Sequence, residues 1–346
     1  MSRDGSDCVV VIPALNEEEC ILGCVESLLR QTTTDFEIIV GDGGSTDRTR
    51  ALVATAMESE PRLHLVENPG RLQSRAVNLA AELAAPGVKW LIRADAHTTY
   101  PPNFVETLLA AVQQTGATSV VVPMRTVGHD CFQRAAAAAQ NSRLGNGGSL
   151  HRLGSSSRFV DHGHHALFQL EHFRRVGGYD EAFSHNEDFE LDYRIRKAGG
   201  TIWLTAHAAV DYLPRRSPWT LARQYFLHGQ GRARTIIKHA LIPKIRQVLP
   251  VVVLGCYVVG IGASPWVHAG LLLPVAHLAI CLTWGVMLGW RARDWCVTAS
   301  GLCAVIIQLF WAAGFCTGLL RYLRTYRSEF LRSVPSNAEN RAAEPS

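Results

Sequence analysis

Short apolar runs recur at regular intervals along the first part of the chain. Cys8 to Ile12 is continuously apolar, and Phe36 to Val40, Leu63 to Val66, Trp90 to Ile92 and Ser119 to Val122 repeat the pattern. Each run has strand length and is followed by a polar turn. The intervening segments carry helical signals. Asn16 is placed as a helix cap with Glu17, Glu18 and Glu19 in the first turn, where carboxylates suit the helix dipole. An Ala-rich helix is expected up to Ala84, and another from about Pro102 to Thr115. This alternation predicts an α/β domain with a Rossmann-like, mostly parallel sheet, helices on both faces and a ligand at the carboxyl ends of the strands. From Asn141 to Gly163 the chain is rich in Gly, Ser and His and is expected to be a long functional loop.

The pattern then changes. Between Gln247 and Leu320 the only charged side chains are Arg291, Arg293 and Asp294. Three apolar runs fall there, Val248 to Ala263, Trp266 to Trp290 and Trp295 to Leu320. At about 1.5 Å rise per residue the last two cross a roughly 30 Å hydrocarbon core, and the first is marginal. Just before them, Arg215 to Arg246 holds eight Lys and Arg residues and no acid. Such a juxtamembrane segment attracts anionic lipid headgroups and is expected on the cytoplasmic side. The chain begins Met1-Ser2-Arg3-Asp4 with no apolar h-region before the polar stretch at Asn16, so no signal peptide is expected. The expected divisions are a cytoplasmic α/β domain over 1–214, a basic interfacial segment over 215–246, two or three membrane spans over 247–320 and a basic, then disordered tail over 321–346. A multi-pass plasma-membrane protein is implied.

Composition narrows the class without naming it. The 346 residues are 47% hydrophobic and 18% charged, which excludes disordered, collagenous and disulfide-scaffold proteins. Nine cysteines show no CxxC pair and no zinc spacing, so a reduced compartment suffices. The basic stretch lacks the interleaved aromatics of a nucleic-acid platform, and no nucleic-acid partner is expected.

Candidate chemistry lies after the strands. Asp42, directly after the second run, is placed to accept hydrogen bonds from a base or ribose, while Gly43-Gly44-Ser45-Thr46-Asp47 is equally accounted for as a turn and helix cap. There is no GxGxxG after the first strand and no GxxxxGK[ST], which disfavours dinucleotide enzymes and P-loop kinases. Asp95-Ala96-His97 follows the fourth strand. Its carboxylate and imidazole can share Mn2+ or Mg2+ with a bound diphosphate, and an exposed loop histidine is the plainer alternative. Glu187-Asp188 opens a segment in which Phe189 and Tyr193 recur at helical spacing, a pattern that a solvated helix start also explains. His162, His164 and His165 lack the carboxylate or cysteine that would complete a metal set, and acceptor-side hydrogen bonding suits them better.

Together, Val11-Ile12-Pro13-Ala14-Leu15-Asn16-Glu17-Glu18, Gly41-Asp42-Gly43-Gly44-Ser45-Thr46-Asp47, the Asp95 motif, Val176-Gly177-Gly178-Tyr179-Asp180-Glu181 and Glu187-Asp188 with Arg194 and Gly199 resemble the family 2 glycosyltransferases of GT-A fold over about residues 8 to 240. Val160-Asp161-His162-Gly163-His164-His165-Ala166, with Arg93-Ala94-Asp95-Ala96-His97 and Tyr212-Leu213-Pro214-Arg215, is similar to the glucosyltransferase group of succinoglycan assembly. The resemblance implies a nucleotide-diphosphate sugar donor, expected to be UDP-glucose, an inverting displacement and a divalent metal. It implies that Ala14, Glu17, Asp42 and Asp95 bind the nucleotide sugar, that Asp95 and His97 hold the metal, and that Asp188 is the general base with Glu187 beside it on the acceptor side. Arg71 and Arg75 are candidates at the phosphates, or plain surface arginines. His97 stands where the family usually has a second Asp. The QxxRW signature of processive synthases is missing around Gln224, so one sugar per encounter is expected. The membrane segments point to a saccharide on a polyprenyl diphosphate as acceptor. A polyprenyl-phosphate monoglycosyltransferase and a non-catalytic nucleotide-sugar-binding protein are the alternatives.

Overall fold

The computed structural model of the chain describes residues 7–146, 156–264 and 266–333. The chain runs β1 (Cys8–Ala14), α1 (Ile21–Leu29), β2 (Phe36–Asp42), α2 (Thr49–Met57), β3 (Leu63–Glu67), α3 (Gln73–Leu83), β4 (Trp90–Arg93), α4 (Phe104–Thr115), β5 (Ser119–Val122), β6 (Met124–Thr126), α5 (Cys131–Gln140) and α6 (Arg143–Asn146). It continues through β7 (Arg158–Phe159), β8 (His164–Gln169), α7 (Leu170–Arg175), α8 (Glu187–Lys197), β9 (Ile202–Leu204) and β10 (Val210–Tyr212). The last helices are α9 (Pro218–Lys238), α10 (Ile245–Ala263), α11 (Leu272–Ala292) and α12 (Ser300–Ser333).

Among the described residues, eight strands form one sheet in the order β3-β2-β1-β4-β8-β5-β9-β7, and β10 pairs with β6 in a small second one. The sheet is parallel except for β8, which runs antiparallel to both β4 and β5, and β7, antiparallel to β9. Strand alternation sorts β1 onto two cores. Cys8, Val10 and Ile12 pack with residues of α1 and α4, whereas Val9 and Val11 pack with residues of α3, α7 and α8. Helices therefore cover both faces, as the alternating pattern requires.

Three expectations need correction. Asn16 does not cap α1, which begins at Ile21. It takes a positive φ of 55°, donates its N–H to Ser45 Oγ at 2.9 Å and accepts from Thr46 N at 2.8 Å. Its side chain thus binds the loop after β2 rather than the helix that follows it. The Asn141–Gly163 stretch is not all loop, since α6 and β7 lie within it, and residues 147–155 lie outside the described residues. The cysteines are not all thiols: Cys131, opening α5, is disulfide-bonded to Cys296, and Arg134 pairs with the adjacent Asp294 at 3.2 Å. A separation of 165 residues leaves no local spacing motif to read.

The chain divides into two compact units, Met1–Arg216 with Leu282–Ala304, and Ser217–Cys281 with Val305–Ser346. Three segments, Ile245–Ala263, His268–Ala292 and Trp295–Arg324, are long and apolar enough to cross a membrane, with mean hydropathies of 1.8, 2.0 and 1.9. Val258, Val259, Ile261, Leu272, Leu273 and Val275 are exposed, as side chains facing lipid would be. The first segment, at 19 residues, spans about 28 Å, so it is long enough as well.

Within the second unit, polar groups join the apolar helices. His277 of α11 meets the Tyr257 hydroxyl of α10 at 3.0 Å and Gln308 Oε1 of α12 at 2.9 Å, a hydrogen-bonded chain of the kind that fixes helix register in lipid. Helices α9 and α12 approach through glycines. A Cβ at Gly229 would collide with the Trp311 carbonyl, and one at Gly314 with the Phe226 carbonyl. Gly314→Val should therefore destabilise the detergent-solubilised chain by about 1–3 kcal/mol, the usual cost of overpacking, in thermal unfolding. Gly262→Ala, with nothing within 4 Å of the added carbon, should be nearly neutral.

Candidate active site

The carboxyl ends of β1, β2 and β4 come together at one edge of the sheet. Ala14 and Asp42 are register partners, and the Ala94 N–H donates to the Val11 carbonyl at 2.9 Å. Beyond these ends lies a cleft of about 170 Å3 lined by residues that include Ala14, Glu17, Arg71, Gln73, Asp95 and His97. Glycine is required where the loop after β2 turns under it. Gly44 has a φ of +84°, and a Cβ on Gly43 would press on the Ala14 and Arg71 backbones at 3.4 and 3.3 Å.

Asp42 itself is fully buried beneath this loop. Its carboxylate accepts from Gly44 N at 3.1 Å, Ser45 N at 3.2 Å and Arg50 Nη1 at 3.3 Å. The turn interpretation thus describes the hydrogen bonds of its carboxylate, and Asp42 is not among the cleft's lining residues. The two arginines part company: Arg71 lines the cleft, while Arg75 pairs with Glu82 at 2.8 Å and Glu181 at 3.3 Å.

Asp95 is engaged from three sides. Its Oδ1 accepts from Gln73 Nε2 at 3.1 Å and lies 3.4 Å from Arg93 Nη2, while Oδ2 is 3.3 Å from His164 Nε2. Burial pushes the Asp95 pKa up, but the Arg93 charge and the His164 bond outweigh it and hold the carboxyl well below the usual range. It is therefore an anion at neutral pH. His97, about half exposed, faces Glu17 with Nδ1 3.4 Å from Oε1. That contact raises the imidazole pKa above its ordinary value against the opposing effect of burial, with further help from Asp95.

A second carboxylate arrives from α8. Asp188 Oδ1 accepts from Arg93 Nη1 and from the Tyr179 hydroxyl, both at 2.8 Å. Arg93, only 6% exposed, thus bridges Asp95 and Asp188. Tyr179 is delivered by the Gly177-Gly178 turn. Its N–H donates to Asn78 Oδ1 at 2.8 Å and its carbonyl accepts from Asn78 Nδ2 at 2.9 Å. At Gly178, with φ of +62°, a Cβ would collide with that Asn78 oxygen. Arg194 anchors α8 in turn, donating to the buried Glu190 at 2.6 Å and to the Val176 carbonyl. Beside Asp188, burial and the Asp188 charge push the Glu187 pKa up to about 7, with Arg93 acting against them.

The histidines separate. His164 joins Asp95, whereas His162 Nδ1 pairs with Asp192 Oδ2 at 2.7 Å, and Asp192 is fully buried in α8. The side chain of His165 lies outside the described residues. Gln73, Arg93, Tyr179 and Asp192 were not assigned roles from the sequence. Arg93 and Tyr179 stand inside the quoted motifs, but nothing in their spacing shows that they converge.

Among the described residues, no group of three or more His, Cys, Asp or Glu side chains is assembled as a metal cage. Asp95 and His97 nevertheless line one cleft beside Glu17, and an ionised carboxylate with an imidazole is a donor set that Mn2+ or Mg2+ accepts. Such a pair fits a cation whose other ligands come from a diphosphate and water.

Comparison with known proteins bears on the family and the fold. Residues 9–177 match the family described as Glycosyl transferase family 2. The chain is 44% identical over 326 residues to succinoglycan biosynthesis protein ExoA of Rhizobium meliloti (strain 1021), covering 91% of this chain and 96% of that protein. It is 31% identical over 114 residues to glycosyltransferase GlyG of Streptococcus pneumoniae serotype 4, covering 32% of this chain and 37% of the relative. In fold it is similar to the mannosyltransferase PcManGT from Pyrobaculum calidifontis, solved with GDP-Man and Mn2+, at a TM-score of 0.57 and 19% identity over 90% of this chain and 87% of that one. The chain belongs to glycosyltransferase family 2 and is a glycosyltransferase of GT-A fold with three membrane-grade helices toward its C-terminus.

Proposed function

We propose that the chain is an inverting, non-processive hexosyltransferase that moves a sugar, glucose by our assignment, from a nucleotide diphosphate to a lipid-linked saccharide during exopolysaccharide assembly. The observation that carries this is the joining of a cleft carboxylate, Asp95, and a helix-borne carboxylate, Asp188, by one buried guanidinium. The near full-length likeness to a succinoglycan biosynthesis protein supports the glycan context, and the membrane-grade helices beside a basic segment support a lipid-linked acceptor and a multi-pass plasma-membrane protein. We place the catalytic domain on the cytoplasmic side because of those basic residues.

In this reading the nucleotide diphosphate lies along the cleft, with Ala14 and Glu17 on one wall and Arg71 at its phosphates. Asp42 contributes by holding the Gly43-Gly44 turn in shape beneath the nucleoside. Asp95 and His97 would hold a divalent cation, which supplies charge neutralisation for the departing diphosphate. His164 keeps Asp95 oriented and ionised. Asp188 takes the proton of the acceptor hydroxyl as that oxygen attacks the anomeric carbon from the face opposite the leaving group. Arg93 and Tyr179 fix the aim of its carboxylate.

Asp188→Asn removes the proton acceptor and keeps the side chain's size. Transfer at saturating acceptor should fall by about 10² to 10⁴, the usual range for a general base, while donor affinity changes little. Glu187→Gln should cost less. If the Gln variant loses more, the base is Glu187, whose raised pKa suits proton transfer near neutral pH. The Gln variant also reports that pKa independently of turnover. The folded chain holds a proton on Glu187 between pH 4.5 and about 7 that the unfolded chain has released, so native stability falls as pH rises through this window. The pH dependence of the unfolding midpoint should therefore flatten in Glu187→Gln.

His97 binds a cation only as the neutral imidazole, so its raised pKa should make metal affinity fail at a higher pH than an ordinary histidine would. Calorimetric titration of Mn2+ into the full chain should show affinity falling as pH drops through that raised value. His97→Asp should carry binding to lower pH. An identical pH profile in the two proteins would remove His97 from the ligand set.

A further inference from the structure

The Cys131–Cys296 bond has no part in the chemistry proposed for the cleft. It joins the first residue of α5 to the turn Trp295–Ala299 that precedes α12, within one compact unit. That unit also holds the α/β domain assigned above to the cytoplasm. Thiols are kept reduced there, and the disulfides that do form are mostly transient or redox-sensing.

The two sulfurs are not equivalent. Cys131 is partly exposed, whereas Cys296 is 1% exposed. An incoming thiolate therefore attacks at Cys131, and Cys296 is the group that leaves. Arg134 stands one turn along α5, and its Nη2 donates to Cys296 Sγ at 3.1 Å. A guanidinium so placed meets the negative charge that the departing sulfur takes up. Asp294 holds this arrangement, with Oδ2 3.2 Å from Arg134 Nη1 and Oδ1 accepting from Cys296 N at 3.0 Å.

Opening the bond has a path into the domain. Asp130 and Gln133 cap the start of α5, the Gln133 N–H donating to Asp130 Oδ1 at 2.8 Å. Gln133 is buried, and its Nε2 donates to the Pro214 carbonyl at 3.0 Å. Arg215 follows directly, and its charge acts on His97 in the cleft. With the disulfide gone, the ion pair that remains between α5 and the turn is Arg134 with Asp294. Its arginine side chain is 42% exposed, and exposed pairs hold weakly.

We propose that Cys131–Cys296 is a thiol–disulfide exchange site for a low-molecular-weight thiol of the glutathione class, a clasp between α5 and the turn before α12. The incoming thiolate forms a mixed disulfide with Cys131 Sγ. The S–S electron pair passes to Cys296 Sγ, which takes a proton from water. A second thiol attacks the small-molecule sulfur of the mixed disulfide and releases Cys131 as a thiol. In sum, the protein disulfide gains two electrons and two protons, and two small thiols become one small disulfide. Closure is the reverse, with that small disulfide as oxidant. The proposal rests on the cytoplasmic placement of the catalytic domain.

The test uses the full chain in detergent, equilibrated without oxygen in mixtures of glutathione and glutathione disulfide, with free thiols counted by the mass of a maleimide tag. The other seven cysteines are thiols, so opening the pair should add two tags. A pair that stays closed in glutathione alone overturns the exchange site. At fixed glutathione, Arg134→Gln should open about tenfold more slowly, the worth of a hydrogen bond to a charged group. An unchanged rate overturns Cys296 as the leaving sulfur. In the open form, peptides covering 128–140 and 210–216 should lose protection from amide hydrogen exchange, and the Cys131→Ser, Cys296→Ser double variant should show that loss at every ratio. Equal protection in the open and closed wild type overturns the clasp. In right-side-out vesicles reduced by a permeant thiol, a membrane-impermeant maleimide should not tag Cys131. Tagging there, with exchange intact in detergent, overturns the cytoplasmic placement alone.

Discussion

A single buried guanidinium organises the site. Arg93 ends β4 and is almost fully withdrawn from solvent, yet its charge is retained: burial works against it, and Asp188, Tyr179 and Asp95 more than offset that cost. Removing one partner of such a buried pair typically costs about 3–5 kcal/mol, because the other is left uncompensated. Each carboxylate is therefore held in place by the other's partner. The cleft and the start of α8 cannot vary independently while Arg93 spans them.

The rest of the first unit reads as support for that bridge. Pairing of Val11 with Arg93 across β1 and β4 sets where the guanidinium emerges, and Val9 and Val11 anchor β1 to the face that also carries α3 and α8. From that face Asn78 clamps the Tyr179 backbone and Arg194 ties α8 to Val176, so the two groups that meet Arg93 arrive on braced segments. Gly178 is needed because the chain passes against Asn78 in a left-handed conformation. The conspicuous glycines of the motifs thus serve close approach, and under the proposed mechanism the chemistry falls to the acids and the arginine between them.

Periodicity alone made the strands and the alternation of layers legible, since each β-run is short, apolar and bounded by a turn. The acids at the strand ends were legible for the same reason, and Asp95, His97, Ala14 and Glu17 do line one cleft. What periodicity could not supply was convergence across the sheet. His164 meets Asp95 because β8 runs antiparallel beside β4, a pairing that no local signal encodes. Asp42 was readable as an acid after a strand, but its direction, down into the Gly44-Ser45 turn, depends on the fold of the loop. The Cys131–Cys296 bond and the Asp192–His162 pair join segments far apart in the chain. Asn16 misled because a side chain suited to capping a helix is equally suited to bridging two loops.

The central claim is that Arg93 serves the cleft and the α8 carboxylate at once, and Arg93→Lys tests it most directly. A lysine keeps the charge but lacks the planar fork that reaches two acceptors. Nucleotide-sugar affinity and transfer rate at saturating donor should be measured on the same preparation, with the unfolding midpoint as a check on folding. The account predicts that both fall together, the rate by about 10²-fold, the penalty typical of a misplaced catalytic group. A folded variant that keeps native donor affinity and native turnover would contradict it.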